Sequence, residues 1–415
     1  MRKPRTIERL YLDFDGFFAS VMQQAYPQLR DKPVGVVPFA GTDRTVVIAC
    51  SKEAKAAGCK NVMRVKDSLD KCPDLILVPQ EPDLYRRAHN TLISEIDAVI
   101  PIDAIKSIDE ITCILDTRQR KNPERLAEQI KYRIHRYIGP HITCSIGFAA
   151  NRHLAKIAGK QDKPNGVTIW HPDMMPDPLY PLPFADIPGI GSRMEKRLNR
   201  LGITTMQLLL ETSAKQMRKI WNNVTGERLW YALHGYDIQA PESKRGMFGH
   251  GRVLPPDSRS LPKAKEIARL LLIKAGRRLR REGFYASGFW LYLSIRDGSW
   301  SQSLSLPMIN DDKAILTALE TLWDHACHEL SPRVTVFRVH VTLVDLTPAE
   351  NRQMDMLLND DTERRKWEAI TAAMDKLNAK YSQTIVSMGP WNPPVGGNVG
   401  GKISYTRIPS ADDFW

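Results

Sequence analysis

The segment YLDFDGFFAS, residues 11–20, constrains the fold of this chain more than any other stretch. Side chains alternate along a strand, so an extended segment places Leu12 and Phe14 on one face and Asp13 and Asp15 on the other. A glycine and two phenylalanines follow at once. Two acids at the end of a strand are compatible with a metal site, a helix N-cap or a solvated turn, and the segment alone leaves all three open.

Composition narrows the class of protein. A length of 415 residues predicts roughly two to four domains with a large core. The formal net charge of +12 and the pI of about 9.4 favour polyanionic partners. The six cysteines form no CxxC pair, which predicts a reduced, cytoplasmic protein without a zinc module. We see neither a signal core nor an apolar run long enough to span a bilayer, so we expect no membrane association.

Hydrophobic periodicity divides the chain into segments. Strand and helix patterns alternate as far as residue 149, which predicts an α+β domain with insertions. The proline-rich segment 172–184 marks a boundary, and a small helical unit follows at 185–238. Residues 243–345 then show the order βαββαβ. The remainder is polar with one helical stretch near 362–380, and we interpret it as a partly ordered tail.

A second acidic pair lies in SIDE, residues 107–110, within a predicted strand at 105–115. Neighbouring strands that each carry carboxylates can hold two divalent ions for in-line phosphoryl transfer. Hard oxygen ligands of this kind select Mg²⁺. The alternative is that Asp109 and Glu110 only solvate a turn, and the strand pattern on both sides of them argues against it.

The segment NRHLAKIAGKQDKPNG, residues 151–166, brings three lysines next to these acids in the predicted fold: Lys156, Lys160 and Lys163. Cations beside a carboxylate metal site suit a triphosphate, whose charge the metal ions neutralise only in part. A solvated basic helix face is an equally open interpretation of this segment taken alone.

The segment IPGIGSRMEKRLNRLGITT, residues 187–205, has the pattern of a helix-hairpin-helix. Gly189 and Gly191 allow a close approach of the backbone, and the helix that follows at Ser192 presents N–H groups to a phosphate. Such contacts hold DNA without reading its bases. The alternative is an ordinary glycine-rich turn between two helices.

The motifs YLDFDGFFASV, SIDE, CSIGFAANRHLAKIAGKQDKPNG and IPGIG, in this order and spacing, resemble those of Y-family (translesion) DNA polymerases, with the bacterial DNA polymerase IV group the most similar type. The resemblance spans residues 8–345. It implies an α+β, multidomain, right-hand polymerase with a ferredoxin-like palm, small fingers, a helical helix-hairpin-helix thumb and a βαββαβ little finger. The implied domains are the palm at 1–18 and 81–172, the fingers at 19–80, the thumb at 173–240, the little finger at 246–345 and a C-terminal tail at 346–415.

The resemblance also implies the chemistry of the first acidic motifs. Asp13, Asp109 and Glu110 match the catalytic metal-binding carboxylates of the family, and the carbonyl of Phe14 matches a further ligand. The implied cofactor is a pair of Mg²⁺ ions, with Mn²⁺ as an alternative. Asp15 matches a family acid that is not one of the three ligands.

The implied nucleotide site follows from the same motifs. Phe17 and Phe18 match the aromatic pair under the incoming sugar, and Phe18 matches the steric gate, whose ring fills the space that a ribose 2′-OH needs. Lys163 matches the lysine on the triphosphate. The fingers depart from the pattern, because Lys52 and Lys55 stand where the family usually has a Tyr and an Arg. Lysines supply charge but not the planar, bidentate fork of arginine.

The strands of the little finger predict a second DNA-binding surface. Alternation along strands 286–296 and 333–345 separates an apolar face from one that offers polar, aromatic and basic groups to a DNA backbone. The residues expected to face DNA are Trp290, Tyr292, Arg296 and Arg338. The basic run 274–283 lies on the helix layer behind this sheet, and we interpret it mainly as a solvated face.

Beyond the little finger, QMDMLL at residues 353–358 resembles the peptide by which bacterial polymerases dock on the sliding clamp. Gln353 is expected to anchor this peptide, and Met356, Leu357 and Leu358 to fill an apolar groove. The clamp, primer–template DNA and dNTP are therefore the expected partners, and the polymerase itself is expected to be a monomer.

The function that the resemblance implies is template-directed, low-fidelity translesion DNA synthesis, in which a dNMP is added to a primer 3′-OH. One alternative is a catalytically weak or inactive polymerase-like subunit that binds DNA and the clamp. The altered fingers favour that alternative, and the intact acids and Phe18 oppose it. A helix-hairpin-helix nuclease also uses two metals but has no need for a sugar gate.

Overall fold

A computed structural model describes residues 1–39, 41, 43–238, 245–352, 361–392, 408 and 410. The chain divides into two units, Met1–Pro241 with Ser404–Ile408, and Glu242–Ile403 with Pro409–Trp415. None of the helices in the described part of the chain is long and apolar enough to cross a membrane.

A five-stranded sheet forms the centre of the first unit. Strand β1 (Arg9–Phe14) lies between β8 (Glu110–Ile114) and β9 (Cys144–Ala149) and is antiparallel to both. Strand β10 (Val167–Ile169) extends the sheet in parallel beside β9, and β7 (Ile102–Ile105) closes the other edge beside β8. The acidic end of β1 is therefore flanked by a strand on each side. The prediction of a single strand at 105–115 is wrong, because this segment is a hairpin in which Glu110 begins β8 and Asp109 lies in the bend before it.

Alternation along β1 determines which face is buried against which helices. Leu10, Leu12 and Phe14 are at most 2% exposed on one face. On the other face, Tyr11 packs against helix α7 (Arg152–Ala158), which connects β9 to β10. The remaining helices of this part of the unit are α4 (Pro82–Asp97), α5 (Thr117–Lys121) and α6 (Pro123–Arg133), which continues as a π-helical turn at Ile134–Ile138.

The segment between α1 and α4 forms a small α/β region. Helix α1 (Phe17–Ala25) follows β1 directly, after a turn at Gly16. A three-stranded sheet and a two-stranded ribbon follow with two short helices: β2 (Val34–Val37), β3 (Val46–Val47), β4 (Ala49–Cys50), α2 (Lys52–Ala56), β5 (Met63–Arg64), α3 (Val65–Lys71) and β6 (Ile76–Pro79).

The predicted helical unit at 185–238 is present. Its helices are α8 (Ser192–Arg200), α9 (Met206–Leu210), α10 (Ala214–Trp221) and α11 (Val224–Leu233). Apolar residues of these helices share one core with α7, because Leu198, Met217 and Leu233 cluster with Leu154 and Ile157.

The second unit has the predicted order βαββαβ. Its elements are β11 (Met247–Val253), α12 (Leu261–Arg281), β12 (Phe284–Ile295), β13 (Gly298–Ile309), α13 (Asp312–Glu329) and β14 (Val336–Pro348). The sheet is antiparallel with the order β11-β14-β12-β13. Each crossover helix therefore connects two parallel strands with one strand inserted between them, which makes both halves split βαβ units.

The interpretation of the basic run 274–283 as a solvated face is wrong. Lys274, Arg277 and Arg278 are between 2% and 9% exposed. The predicted C-terminal helix, α14 (Asp361–Tyr381), packs on this unit, and its residue Thr371 is fully buried. The run is thus covered in part by a segment that lies far away in the sequence.

The arginines of this run have specific partners. Arg280 binds Asp312 at 2.8 Å and Asp375 of α14 at 2.6 Å. Arg277 donates to the Thr384 hydroxyl at 2.9 Å, and its guanidinium lies 5.2 Å from the centre of the Trp391 ring. These contacts explain why a run of cations is buried, because buried charges are stable only when they are paired.

Candidate active site

The three acids predicted to bind metal lie at the same end of the first unit's sheet. Asp13 of β1 is the direct partner of Glu110 of β8 in the strand register. The N–H of Phe14 donates to the carbonyl of Asp109 at 2.9 Å. The pairing of β1 with β8 therefore brings together two acidic motifs that are almost one hundred residues apart in the sequence.

Each of these acids has a polar partner. Lys163 forms an ion pair with Asp13, and Lys156 Nζ lies 2.6 Å from Glu110 Oε1. The Ser107 hydroxyl donates to Asp109 Oδ1 at 2.5 Å. In this arrangement no group of three ligating side chains among the described residues converges as a preformed metal cage. The lysines supply the positive charge at this end of the sheet.

Burial opposes the ionisation of all three acids. Burial, together with the nearby charges of Asp109 and Glu110, raises the pKa of Asp13 to about 6, although Lys163 opposes the shift. Burial also raises the pKa of Asp109. Burial opposes ionisation of Glu110 as well, but Lys156 outweighs it and holds the pKa of Glu110 below its ordinary value. Three neighbouring carboxylates of this kind are hard oxygen donors that fit a divalent cation.

The three lysines of the segment 151–166 separate into different environments. Lys156 lies on α7, 3.1 Å from the Tyr11 hydroxyl as well as next to Glu110. Lys163 lies in the turn after α7 and pairs with Asp13. Lys160 is exposed. The sequence pattern indicated one basic face, whereas in the structure Lys156 pairs with Glu110 and Lys163 pairs with Asp13.

The turn between β1 and α1 orients the two phenylalanines. Gly16 has a φ of +56°, and a Cβ there would lie 3.0 Å from the carbonyl oxygen of Cys50, so both backbone and space favour glycine. Phe17 is 2% exposed, with its ring centre 5.8 Å from that of Phe14. Phe18 is half-buried and therefore keeps part of its ring accessible.

Tyr85 of α4 packs against Phe18, a contact that no sequence pattern indicated. The two ring centres are 4.7 Å apart. Tyr85 is 1% exposed, and its hydroxyl makes no hydrogen bond to any other described residue. The helical pattern at 84–100 predicted an apolar stripe, but nothing in a pattern of single residues indicates which ring packs beneath another.

The two finger lysines differ in position. Both lie on α2, whose N-cap Ser51 accepts from the N–H of Ala54. Lys55 Nζ reaches the turn at Gly16, 3.7 Å from where a Cβ would stand on that glycine. Lys52 is directed to Glu53 at 3.6 Å, with 58% of its side chain exposed. Lys55 is therefore the finger lysine that stands beside the acidic end of β1.

The helix-hairpin-helix glycines lie on the surface. Gly189 has a φ of +99°, and Gly191 is the N-cap of α8, which begins at Ser192 without a side-chain cap. All three residues are exposed, so the first N–H groups of α8 face solvent. This geometry suits a phosphate ligand.

The predicted DNA-facing residues of the second unit fall on one side of its sheet, with one exception. Trp290 and Tyr292 have ring centres 5.7 Å apart, and Arg338 is exposed beside Ser294. Strand β12 ends at Ile295, so Arg296 lies in the turn before β13 instead of on the strand. The predicted clamp residues Gln353, Met356, Leu357 and Leu358 lie outside the described residues.

Three families match successive parts of the chain. The impB/mucB/samB family matches residues 12–160, the thumb domain of DNA polymerase-iota matches 185–237, and the C-terminal domain of the impB/mucB/samB family matches 245–356. The chain is 30% identical over 393 residues to DNA polymerase IV 1 of Bacillus subtilis (strain 168), covering 91% of this chain and 92% of that protein. It is also 30% identical over 388 residues to DNA polymerase IV of Moorella thermoacetica, covering 91% and 94%.

Solved structures of Y-family DNA polymerases share the fold of this chain. The Y-family DNA polymerase chimera Dbh-Dpo4(243-245)-Dbh superposes with a TM-score of 0.69 at 24% identity, covering 82% of this chain and 99% of the chimera, and so shows the fold. The insertion ternary complex of Dbh DNA polymerase has a TM-score of 0.55 at 25% identity, covering 82% and 99%. The expected multidomain α+β architecture is confirmed, and the chain belongs to the Y-family of DNA polymerases, in the DNA polymerase IV group.

Proposed function

We infer that the chain is a DNA-directed DNA polymerase that carries out low-fidelity translesion synthesis on a primer–template with dNTPs. The observation that carries this inference is the pairing of β1 with β8, which brings Asp13, Asp109 and Glu110 to one end of the sheet, directly before the helix α1 that carries the half-buried Phe18. The relatives named DNA polymerase IV match the chain over nearly its whole length, which does not favour an inactive accessory subunit.

Asp13, Asp109 and Glu110, with the carbonyl of Phe14, are the residues that would hold two Mg²⁺ ions, or Mn²⁺ in their place. Their oxygens suit such ions by chemistry, and the ions would stabilise the charge that develops in an in-line phosphoryl transfer. Lys156 keeps Glu110 ionised and oriented through its contact at 2.6 Å. The acids are half-buried, with the side chains of Asp13 and Glu110 21% and 19% exposed, and this partial withdrawal from water strengthens the charge interactions there.

The nucleotide would lie against α1 with its triphosphate towards the lysines. The ring of Phe18, supported by Tyr85, occupies the space of a ribose 2′-OH, and Phe17 packs behind it. Lys163 and Lys55 stand beside the acidic end of β1 and would bind the triphosphate, with Lys52 as a weaker contributor from its exposed position. Lysines bind phosphate as point charges, so this arrangement gives charge without a bidentate fork.

DNA would be held by phosphate contacts at Gly189, Gly191 and Ser192 and by the sheet face that carries Trp290, Tyr292 and Arg338, with Arg296 at its turn. We assign palm, fingers, thumb and little finger to residues 1–18 with 81–172, 19–80, 173–240 and 246–345. The protein would act as a monomer, recruited to a sliding clamp through residues 353–358.

Primer extension on a defined primer–template with Mg²⁺ and four dNTPs tests this function. Stepwise elongation of the primer is the expected result. An unchanged primer that is nevertheless bound would indicate an accessory subunit, and shortening of the primer would indicate a nuclease. Omission of Mg²⁺ with added chelator should stop elongation while leaving DNA binding in place.

A further inference from the structure

Asp15, the fourth acid of the β1 region, has contacts unlike those of the other three. Its side chain is 10% exposed and accepts three hydrogen bonds from the protein. The Ser145 hydroxyl donates to Oδ1 at 2.8 Å, the Thr143 hydroxyl donates to Oδ2 at 3.0 Å, and the backbone N–H of Asn165 donates to Oδ2 at 2.8 Å. Both oxygens of Asp15 are therefore engaged by donors of the fold itself.

The contact with Asn165 joins Asp15 to the turn at residues 163–166. Asn165 has a φ of +59°, and its carbonyl accepts from Lys131 Nζ, which also lies 3.2 Å from the carbonyl of Gly166. The turn is thus held by a carboxylate at its N–H and by an ammonium group at its carbonyls. The first residue of this turn is Lys163.

Lys163 lies between two acids. Its ammonium group pairs with Asp13 and is 3.9 Å from Asp15 Oδ1. A lysine that binds a triphosphate has to leave Asp13. Asp15 fixes the backbone of the same turn independently of Asp13, so the lysine keeps its place when its ammonium group changes partner.

We propose that Asp15 is a positioning residue: it holds the turn at 163–166 so that Lys163 reaches the triphosphate of the incoming nucleotide. This inference rests on the proposed role of Lys163. It also explains why a fourth acid lies beside three candidate ligands without being one of them, since its oxygens serve the β9 end and the turn.

The test is a double-mutant cycle between Asp15→Asn and Lys163→Ala. Asparagine has nearly the same shape as aspartate but only one accepting oxygen, so it cannot serve all three donors. We expect Asp15→Asn alone to weaken binding of a non-hydrolysable dNTP to the enzyme–DNA complex, and to raise KM for dNTP, by about tenfold. In the Lys163→Ala background the same change should have less than about a twofold effect, because residues that act through one another are not additive.

The matched control is Asp173→Asn, which removes the same charge from an exposed side chain outside the turn at 163–166. It should leave both the binding constant and KM unchanged. DNA binding should also be the same in Asp15→Asn as in the parent protein.

Four results would overturn the proposal. Equal effects of Asp15→Asn in both backgrounds, with a lowered melting temperature, would mean that Asp15 supports the fold and not Lys163. A large increase in the Mg²⁺ concentration needed for activity would make Asp15 a metal ligand. A tenfold effect of Lys163→Ala with none of Asp15→Asn would refute this inference alone, whereas no effect of Lys163→Ala would refute the role of the lysine and this inference with it.

Discussion

The acidic end of β1 and the basic run of α12 are both groups of like charge withdrawn from water, and they are neutralised in different ways. The acids have lysine and serine partners on one side and a half-buried aromatic ring nearby. The arginines are enclosed by acids, by a hydroxyl and by the rings of the C-terminal segment. The acids of β1 can therefore exchange their partners for a ligand, whereas the arginines of α12 are already paired within the protein.

The same difference appears in the protonation equilibria. Burial and mutual repulsion raise the pKa of Asp13 and Asp109, so these acids are held in a state that a cation would relieve. In the second unit, Asp312 and Asp375 outweigh burial and raise the pKa of Arg280 further above its ordinary value. A charged group whose pKa is shifted against ionisation is typical of a functional site, whereas a buried charge that is fully paired contributes to stability. Changes in the first group should therefore alter chemistry, and changes in the second should alter folding.

The largest effect is expected from Asp13→Ala. Loss of this carboxylate should reduce primer extension at least about a thousandfold, equivalent to ~4 kcal/mol, because charge stabilisation supplies most of the catalysis in phosphoryl transfer. Single-turnover extension with Mg²⁺ measures the loss, and an electrophoretic shift assay should show that DNA is still bound. Extension at the parent rate would mean that Asp13 takes no part in the chemistry. The functional contrast between the acids of β1 and the arginines of α12 would then fail.

The counterpart in the second unit is Asp312→Ala. Its carboxylate is 2% exposed and is bound by Arg280, so its removal leaves Arg280 paired with Asp375 but without one buried acceptor, and should lower the free energy of unfolding by about 2–3 kcal/mol. Urea denaturation followed by circular dichroism gives this value.

The neighbouring pair Lys313–Glu363 is the control for that experiment, because its side chains are 45% and 68% exposed. Glu363→Ala should leave the free energy of unfolding nearly unchanged, because exposed ion pairs are screened by solvent. Similar losses for the two substitutions would mean that the ion pairs around α12 are not the buried, structural group described above.

Phe18→Leu should change selectivity without changing stability greatly. Removing part of the ring should raise the incorporation of rNTP relative to dNTP by about a hundredfold, or ~3 kcal/mol of lost discrimination. Steady-state kinetics with dCTP and rCTP opposite template G measure the ratio. Parallel loss of both activities with a lowered melting temperature would instead identify Phe18 as a core residue.

Tyr85→Phe is the matched control for the gate. The Tyr85 hydroxyl makes no hydrogen bond to any other described residue, so its removal keeps the ring under Phe18 and should leave the sugar ratio unchanged. A relaxed ratio in this variant would show that the hydroxyl, and not the stacked ring, supports the gate.

The smallest effect concerns pH. The pKa of Asp13 is raised from 3.8 to about 6, so the folded protein without metal binds a proton that the unfolded chain releases. This contribution to stability is complete below about pH 4 and is lost as the pH rises through 6. Unfolding free energies measured between pH 4 and 7 in chelator should fall with pH in the parent protein more than in Asp13→Asn, which has no proton to exchange. An equal pH dependence of the unfolding free energy in the two proteins would mean that the pKa of Asp13 is not raised in the folded protein.

Local sequence patterns were sufficient to predict the acidic motifs, the helix-hairpin-helix and the βαββαβ order, but not the bounds of the strands, since Asp109 lies in a bend and Arg296 in a turn. These features depend on alternation, on turn residues and on motifs within a few positions of one another, so local rules and family resemblance were sufficient. The three acids came from motifs of this kind, and β1–β8 pairing brought them to one end of the sheet.

The pairing of charges, in contrast, depends on the folded chain. Lys156 and Lys163 look alike in the sequence, but one faces Glu110 and the other Asp13. The N–H that binds Asp15 lies 150 positions away, and Asp375 lies 95 positions from Arg280. A pattern of hydrophobic and charged residues reports whether a segment can be helix or strand, but burial and pairing of charge depend on segments that meet only after the chain has folded.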